Sequence, residues 1–328
     1  MIISRTPFRI SFVGGGTDIP DFYQRHPGAV VSATINKFMY VSLNDFFEVD
    51  KIRAKYSITE TVNNVDELKH PILKEVFRNY GIKSGIEIAS LADIPGGTGM
   101  GSSSSFTVGV IHALRRKLGL PEDKEILAFE ACHIEIEKLN EPIGRQDQYA
   151  ASYGGFNHFI FNPHDVVERI PLNQDLQFIT ELEQNLLLFY TGLSRSASQV
   201  LMQQKKAILE NENKFQDLLM IQALTLPFLN AFKKKDIKAM GQIIHENWLL
   251  KKNLTNSISD TFIDEAYNAA LTLGAWGGKL LGAGGGGFFL IFAPPELHQK
   301  IIQRLSGFKR IFFKFEGKGS TIIYENNG

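Results

Sequence analysis

The stretch Pro95-Gly96-Gly97-Thr98-Gly99-Met100-Gly101-Ser102-Ser103-Ser104-Ser105 decides how this chain is read. Its four glycines let the backbone turn tightly and approach a ligand closely. The serines run into Phe106-Thr-Val-Gly-Val-Ile-His-Ala-Leu-Arg-Arg-Lys-Leu118, where apolar residues recur at helical spacing. A glycine loop that opens onto a serine-headed helix gathers unpaired N–H groups and the positive end of the helix dipole in one place. One serine would suffice to cap a helix. Four serines behind four glycines point instead to a site for an anion, phosphate above all.

The pattern comes close to a P-loop, since Gly96 to Ser103 fits Gly-x-x-x-x-Gly-x-Ser, but Ser102 stands where that motif needs lysine. Protein-kinase signatures are absent as well. A second glycine run, Gly282-Ala-Gly284-Gly285-Gly-Gly287, matches the dinucleotide fingerprint in spacing but not in context. A strand-like segment and Pro294-Pro295 follow it where a helix should begin. That run is expected to allow close backbone approach to a ligand or another loop.

Around these loops, residues 10–13, 30–35 and 38–43 read as three strands, and 86–89 as another leading into the glycine–serine loop. Residues 44–70 carry no clear pattern. Helices are expected over 73–80, over 122–140, through most of 196–254, over 262–273 and over 296–305. Further strands are expected over 156–161, 185–190, 288–292, 311–315 and 321–324. Several strands abut without crossover helices, so the chain reads as α+β. Its texture changes near 175–185, giving an N-terminal domain over 1–180 and a C-terminal domain over 181–328.

Composition sets limits on what the chain can do. The 328 residues suggest about two domains, and 44% hydrophobic with 21% charged residues is ordinary for a globular protein. Lys plus Arg and Asp plus Glu both number 35, so no overall field recruits nucleic acid or membrane. One cysteine, Cys132, excludes an intrachain disulfide, and the eight histidines show no metal-ligand spacing. Arg5, Pro7, Arg9 and Gly14-Gly15-Gly16 interrupt the start before a secretory apolar segment could form. The longest apolar run, 288–293, is far too short for a membrane span. The cytoplasm is the expected compartment, and Asn253-Leu-Thr is not expected to carry sugar.

Single residues add chemistry. Asp147, in Gly144-Arg145-Gln-Asp147-Gln-Tyr, follows a glycine turn among residues that can orient a ligand, although an aspartate there could also cap a helix. Glu135 and Glu137 point to different faces of their helix, so only one can share a site with Asp147. Thr17 and Asp18 suit sugar hydroxyls or an Asx turn. Arg9 interrupts an apolar alternation and needs a carboxylate or phosphate partner.

Three motifs taken together resemble the GHMP small-molecule kinases, the family of galactokinase, homoserine, mevalonate and phosphomevalonate kinases. They are Thr6-Pro-Phe-Arg9-Ile-Ser-Phe-Val-Gly14-Gly15-Gly16-Thr17-Asp18, then Pro95 to Ser104, then Lys279-Leu-Leu-Gly-Ala-Gly284-Gly285-Gly-Gly287. Within the family the chain is most similar to bacterial D-glycero-D-manno-heptose 7-phosphate kinases, through Phe12 to Asp18, Gly144 to Ala150 and Tyr190-Thr-Gly-Leu-Ser-Arg195-Ser-Ala.

The resemblance implies a two-domain fold. An N-terminal mixed sheet with helices would precede a helical, ferredoxin-like C-terminal domain. It implies that Pro95, Gly96, Gly97, Thr98, Gly99, Met100, Gly101, Ser102, Ser103 and Ser104 wrap the phosphates of ATP. Ser103 and Glu135 would hold Mg²⁺, Glu135 being preferred to Glu137 because it precedes Pro142 by seven residues. Asp147 would be catalytic with Arg9 beside it. Gly15, Gly16, Thr17, Asp18, Gly284 and Gly285 would bind the sugar, and Arg145 and Arg195 are candidates for its phosphate.

Galactokinases carry a Glu-His pair where this chain has Gly15-Gly16, so the acceptor site is expected to be roomier than one for galactose. The implied reaction is phosphorylation of the anomeric hydroxyl of the heptose 7-phosphate, giving the 1,7-bisphosphate for nucleotide-activated heptose synthesis. A fucose-like sugar kinase and a non-catalytic sugar- or nucleotide-binding regulator are the rivals. The partners implied are ATP and a sugar phosphate, with no nucleic acid or membrane, in a monomer or homodimer.

Overall fold

A computed structural model describes residues 1–193 and 197–326. Its strands are β1 (Ile2–Val13), β2 (Gly28–Asp45), β3 (Ile52–Lys55), β4 (Thr59–Val62), β5 (Ile86–Ala92), β6 (Phe156–Phe161), β7 (Val167–Pro171), β8 (Leu186–Tyr190), β9 (Gly277–Leu280), β10 (Phe288–Phe292), β11 (Lys309–Ile311) and β12 (Thr321–Glu325). The first sheet runs β12-β1-β2-β5-β3-β4, with β6 and β7 added along the other half of β2. Among the described residues the only parallel pairing is β3 with β5. The second sheet runs β11-β8-β10-β9 and is antiparallel throughout. In chain order that is first, second, third and fourth strands arranged 4-1-3-2, with helices after the first and third, which is the expected ferredoxin-like layout.

Two expected strands are one. Residues 30–35 and 38–43 belong to the single strand β2, because a bulge at Asn36 and Lys37 shifts its register against β1 without ending it. The Asn36 backbone N–H donates to Lys314 O (2.8 Å), and its side chain accepts from Lys314 N–H (2.7 Å). Residues 44–70, unpatterned in sequence, supply the hairpin β3–β4 and a short 3₁₀ turn. The strand expected over 311–315 is not found there: β11 ends at Ile311, and Phe315 forms only an isolated bridge with Ile35. The helix expected over 122–140 runs from Lys124 to Cys132 and then widens into a π-turn over His133–Lys138.

The helix Ser102–Lys117 is buried along nearly its whole length against β1 and β2. Among the described residues five helices (Ala197–Glu210, Glu212–Ala223, Thr225–Lys233, Ile237–Leu254 and Thr261–Thr272) fill the segment between β8 and β9. Phe12 of β1 bridges the two halves. Its ring lies 5.4 Å from Phe228, 6.1 Å from Phe156 and 6.3 Å from Phe292 of the second sheet. Such aromatic pairs contribute about 0.5–1.5 kcal/mol each beyond the area they bury.

Strand β12 leaves the second half and pairs with β1 (Ile2 opposite Glu325), so the final strand completes the first sheet. A contiguous cut at 180 therefore describes the chain up to β11 only. The buried His112 fastens this return: its ring bonds Ser320 (2.8 Å) and Glu122 (2.9 Å). Burial pushes its pKa down to about 4 against the bond to Glu122, so it is neutral in the fold. Its contribution to stability is whole above the unfolded value near 6.5 and is lost as pH falls toward 4. Acidification from pH 7 to 4 is thus expected to lower unfolding free energy by roughly 3 kcal/mol through this group. Urea denaturation across that range checks it, and His112→Gln should flatten the slope by about one proton.

Candidate active site

The glycine–serine loop folds as its composition demands. Gly97, Gly99 and Gly101 all take positive φ (72°, 80° and 75°), and the helix Ser102–Lys117 starts without a side-chain cap. Its first N–H groups therefore remain for a ligand. The loop forms one wall of a cavity of about 240 Å³, to which Gly97, Gly99, Gly101, Ser102, Ser103 and Ser104 contribute. Pro95 and Gly96 are exposed outside that wall. Thr98 and Met100 turn away from it: the Thr98 hydroxyl donates to Pro95 O (2.8 Å), and Met100 is wholly buried in the core.

Asp147 sits beneath this loop in the helix Gln146–Tyr153. It does not cap that helix. Both its oxygens accept from Arg9, Oδ1 from Nε at 2.7 Å and Oδ2 from Nη2 at 2.8 Å. The third arm of Arg9 donates to Gly99 O (2.7 Å), so one guanidinium joins the acid to the loop. A Cβ on Gly101 would lie 3.2 Å from Asp147 Oδ2, so glycine there lets the loop close over the acid.

Glu135 lies in the π-turn, a distortion frequent at functional sites. It is 1% exposed, whereas Glu137 points outward to His133. Ser103 donates to Glu135 Oε1 (2.6 Å) and Gln148 to Oε2 (2.7 Å). Burial raises its pKa to about 7 in spite of these bonds. Mg²⁺ commonly takes one or two carboxylates and completes its shell with phosphate and water oxygens. A desolvated carboxylate touching the hydroxyl at the helix start fits that requirement. Among the described residues no cluster of three or more acidic, histidine or cysteine side chains offers an all-protein cage.

The sugar-side residues divide. Gly15, Gly16 and Asp18 line the cavity. Asp18 accepts from Gly16 N–H (3.1 Å), Gln146 N–H (3.2 Å) and Gln146 Nε2 (2.9 Å). Burial and then Asp147 raise its pKa. Gly144 must be glycine to admit it, since a Cβ would fall 1.9 Å from Asp18 Oδ2.

Thr17 does not reach the cavity. Its hydroxyl donates to Gly14 O (2.8 Å) and accepts from Ala29 N–H (3.0 Å), which makes it part of the turn. Gly284 and Gly285 also lie off the cavity. A Cβ on Gly284 would meet Ile258 at 3.0 Å, and Gly285 N–H donates to Ile258 O (2.8 Å). Their neighbours Gly282 and Ala283 are the lining residues.

Arg145 is likewise placed elsewhere. It is 2% exposed, donates to the Tyr23 hydroxyl (2.9 Å) and pairs with Asp165 (2.9 Å), outside the cavity wall. Arg145→Met is expected to lower stability by about 1.5–3 kcal/mol, the scale of hydrogen bonds to a charged group, because the Asp165 it leaves behind is 43% exposed. The KM for a phosphorylated acceptor should stay unchanged in the folded fraction. A melting curve with kinetics at a permissive temperature separates the two. Arg195 lies outside the described residues.

Sequence reasoning gave no role to two lysines that line the cavity, Lys251 on the helix Ile237–Leu254 and Lys279 on β9. Lys279 stood in a quoted motif. Lys251 sits beside Lys252 on a helix, where nothing in sequence separates the buried lysine from the outward one. Burial and then Arg9 push Lys251 down to about 7; burial, then Lys251 and Arg9, push Lys279 well below the ordinary lysine range.

Phosphoryl transfer calls chiefly for positioning and charge neutralisation, and an arginine-clamped acid under a glycine–serine helix start, beside a hydroxyl–carboxylate pair, can supply both. The model of the GHMP kinase N-terminal domain matches residues 67–155, and that of the C-terminal domain matches 228–309. The chain belongs to the GHMP kinase family and is an ATP-dependent kinase. A D-glycero-alpha-D-manno-heptose 7-phosphate kinase of Campylobacter jejuni is 30% identical to it over 315 residues, 93% of each chain. A galactokinase of Pyrococcus furiosus is 27% identical over 87% of each. The crystal structure of a D-glycero-D-manno-heptose 1-phosphate kinase from Bacteroides thetaiotaomicron covers both chains completely with a TM-score of 0.80 at 24% identity, a likeness of fold.

Proposed function

We propose that this kinase moves the terminal phosphoryl group of ATP to the anomeric hydroxyl of D-glycero-D-manno-heptose 7-phosphate, giving the 1,7-bisphosphate for synthesis of nucleotide-activated heptose. The observation that carries the reaction type is Asp147 held by both its oxygens under the loop. The 30% identity to a heptose 7-phosphate kinase supports the acceptor, as does the floor of the site at Gly15 and Gly16, bare of side chains.

In this reading the N–H groups of the loop and of the first helical turn bind the ATP phosphates. Ser103 and Glu135 would hold Mg²⁺, which supplies charge neutralisation at the phosphates. Asp147 accepts the proton of the attacking hydroxyl or orients it, and Arg9 keeps the carboxylate aimed. Asp18, anchored by three N–H donors, offers its remaining lone pairs to sugar hydroxyls. Use of ATP favours the cytoplasm as the compartment of this reaction. Among the described residues no helix is long and apolar enough to cross a membrane.

A panel of sugars and sugar 7-, 6- and 1-phosphates with ATP and Mg²⁺ tests the proposal. Turnover with the heptose 7-phosphate at a kcat/KM well above fucose, galactose and mannose is expected. Faster turnover of fucose would replace the acceptor. Binding without turnover of any acceptor would make the protein a regulator.

A further inference from the structure

We infer that Lys251 and Lys279, with the hydroxyl of Ser11, form an anion subsite that receives a phosphoryl group inside the cavity. The two lysines reach the cavity from different elements and are 7% and 2% exposed. Neither has a carboxylate partner among the described residues. Lys251 Nζ donates to the carbonyls of Gly282 and Leu280, the latter at 3.4 Å, and Lys279 Nζ donates to Phe12 O (3.0 Å). An ammonium group carries three N–H donors, so one on Lys251 and two on Lys279 remain.

A buried cation held by carbonyls alone is costly, and an apolar side chain of the same size would serve packing better. Its retention on two elements facing one cavity points to a counter-ion that arrives with the ligand. Ser11 adds an independent sign. It is 4% exposed and lines the same cavity, and its Oγ has no partner. It stands two residues from Arg9 on the same face of β1. Arg9, the one other cation lining the cavity among the described residues, is already engaged by Asp147 and Gly99.

The ligand class follows from position. Gly282, whose carbonyl Lys251 holds, packs directly on Gly99 of the phosphate loop, where a Cβ would fall 2.4 Å from the Gly99 Cα. The loop itself has Ser102 where a P-loop carries its lysine, and here two cations reach the cavity from the opposite domain instead. Lysine is a point-charge binder of phosphate, suited to an anion that changes shape in a reaction. Two sources share this chemistry, the terminal phosphoryl of ATP and the phosphate borne by the acceptor. The inference rests on the kinase reading but not on the identity of the sugar.

The test uses the full chain with Lys251→Met, Lys279→Met and the control Lys251→Arg. Thermal melts in the absence of ligand and with inorganic phosphate come first. Phosphate at 100 times the wild-type Kd should raise the midpoint of the wild type and raise it less in both Met variants, which keep only the glycine–serine loop, while their ligand-free midpoints stay equal or rise. Kinetics with ATP and the best acceptor of the panel come second, with each Met variant expected to lose about 10²-fold in kcat/KM and Lys251→Arg to recover part of it.

A loss confined to KM for phosphorylated acceptors assigns the subsite to the acceptor. A loss in kcat with every acceptor assigns it to ATP. Wild-type kinetics with an unchanged phosphate response overturn the inference. So does a fall in activity that merely tracks a lowered midpoint, because that is the mark of a structural lysine. If the heptose phosphate proves inert while the phosphate response is weakened in the variants, the acceptor proposal falls and the subsite stands.

Discussion

Asp147→Asn is expected to lower kcat by about two to four orders of magnitude while the affinity for ATP stays near wild type. Asparagine keeps the size of the side chain but replaces one oxygen with an NH₂ group. In the native site both oxygens accept from Arg9, at 2.7 and 2.8 Å. The amide would set an N–H against a guanidinium N–H, so the fork loses one bond and its aim, and the site loses its proton acceptor. Arg9 holds the glycine–serine loop through a separate bond to Gly99 O, which the variant leaves in place. Single-turnover kinetics with a nucleotide-binding isotherm measure both halves. A variant with near wild-type turnover would remove Asp147 from the reaction.

Gly282→Ala should be nearly as damaging for a different reason. Gly282 has φ +68°, and its Cβ would lie 2.4 Å from Gly99 Cα and 2.6 Å from Gly99 O. Those are backbone atoms that cannot swing aside, so the two loops must part by about an ångström, a misplacement worth roughly 100-fold in rate. The strained backbone adds about 1–3 kcal/mol of lost stability. Gly97→Ala is the matched control, because Gly97 also has positive φ (+72°) but nothing lies within 4 Å of its Cβ position. It bears the strain without the collision. Equal losses of kcat in the two variants would show that loop contact is not what sets the rate.

Much of this site was legible because its chemistry is local. Glycines and serines in one run announce a tight loop opening onto a helix, which the structure has, and an arginine in an apolar strand asks for a partner, which proved to be Asp147. The choice of Glu135 over Glu137 agrees with the burial of one and the exposure of the other. The misreadings concern where a polar group finds its bond. Thr17, Arg145, Gly284 and Gly285 have the right residue types in the right motifs, yet a turn, Asp165 and Ile258 occupy them. Lys251 failed in the opposite direction: its burial depends on β9 packing against its helix, a tertiary contact with no trace in the spacing. The same holds for β2, whose bulge reads as a break until residue 314 is seen bonded to Asn36.

The pairing of β12 with β1 also bears on how the protein is made. Residues 2–5 pair with β2 on one side, but their partner on the other exists only when residues 321–325 have been synthesised, which at 5–20 residues per second is roughly 16–65 seconds later. Through that interval β1 is an edge strand with its outer N–H and C=O groups open to any other extended chain. Growing copies on one messenger would be exposed to each other along this edge, so yield during expression should respond to translation speed and to chaperones that shield strand edges.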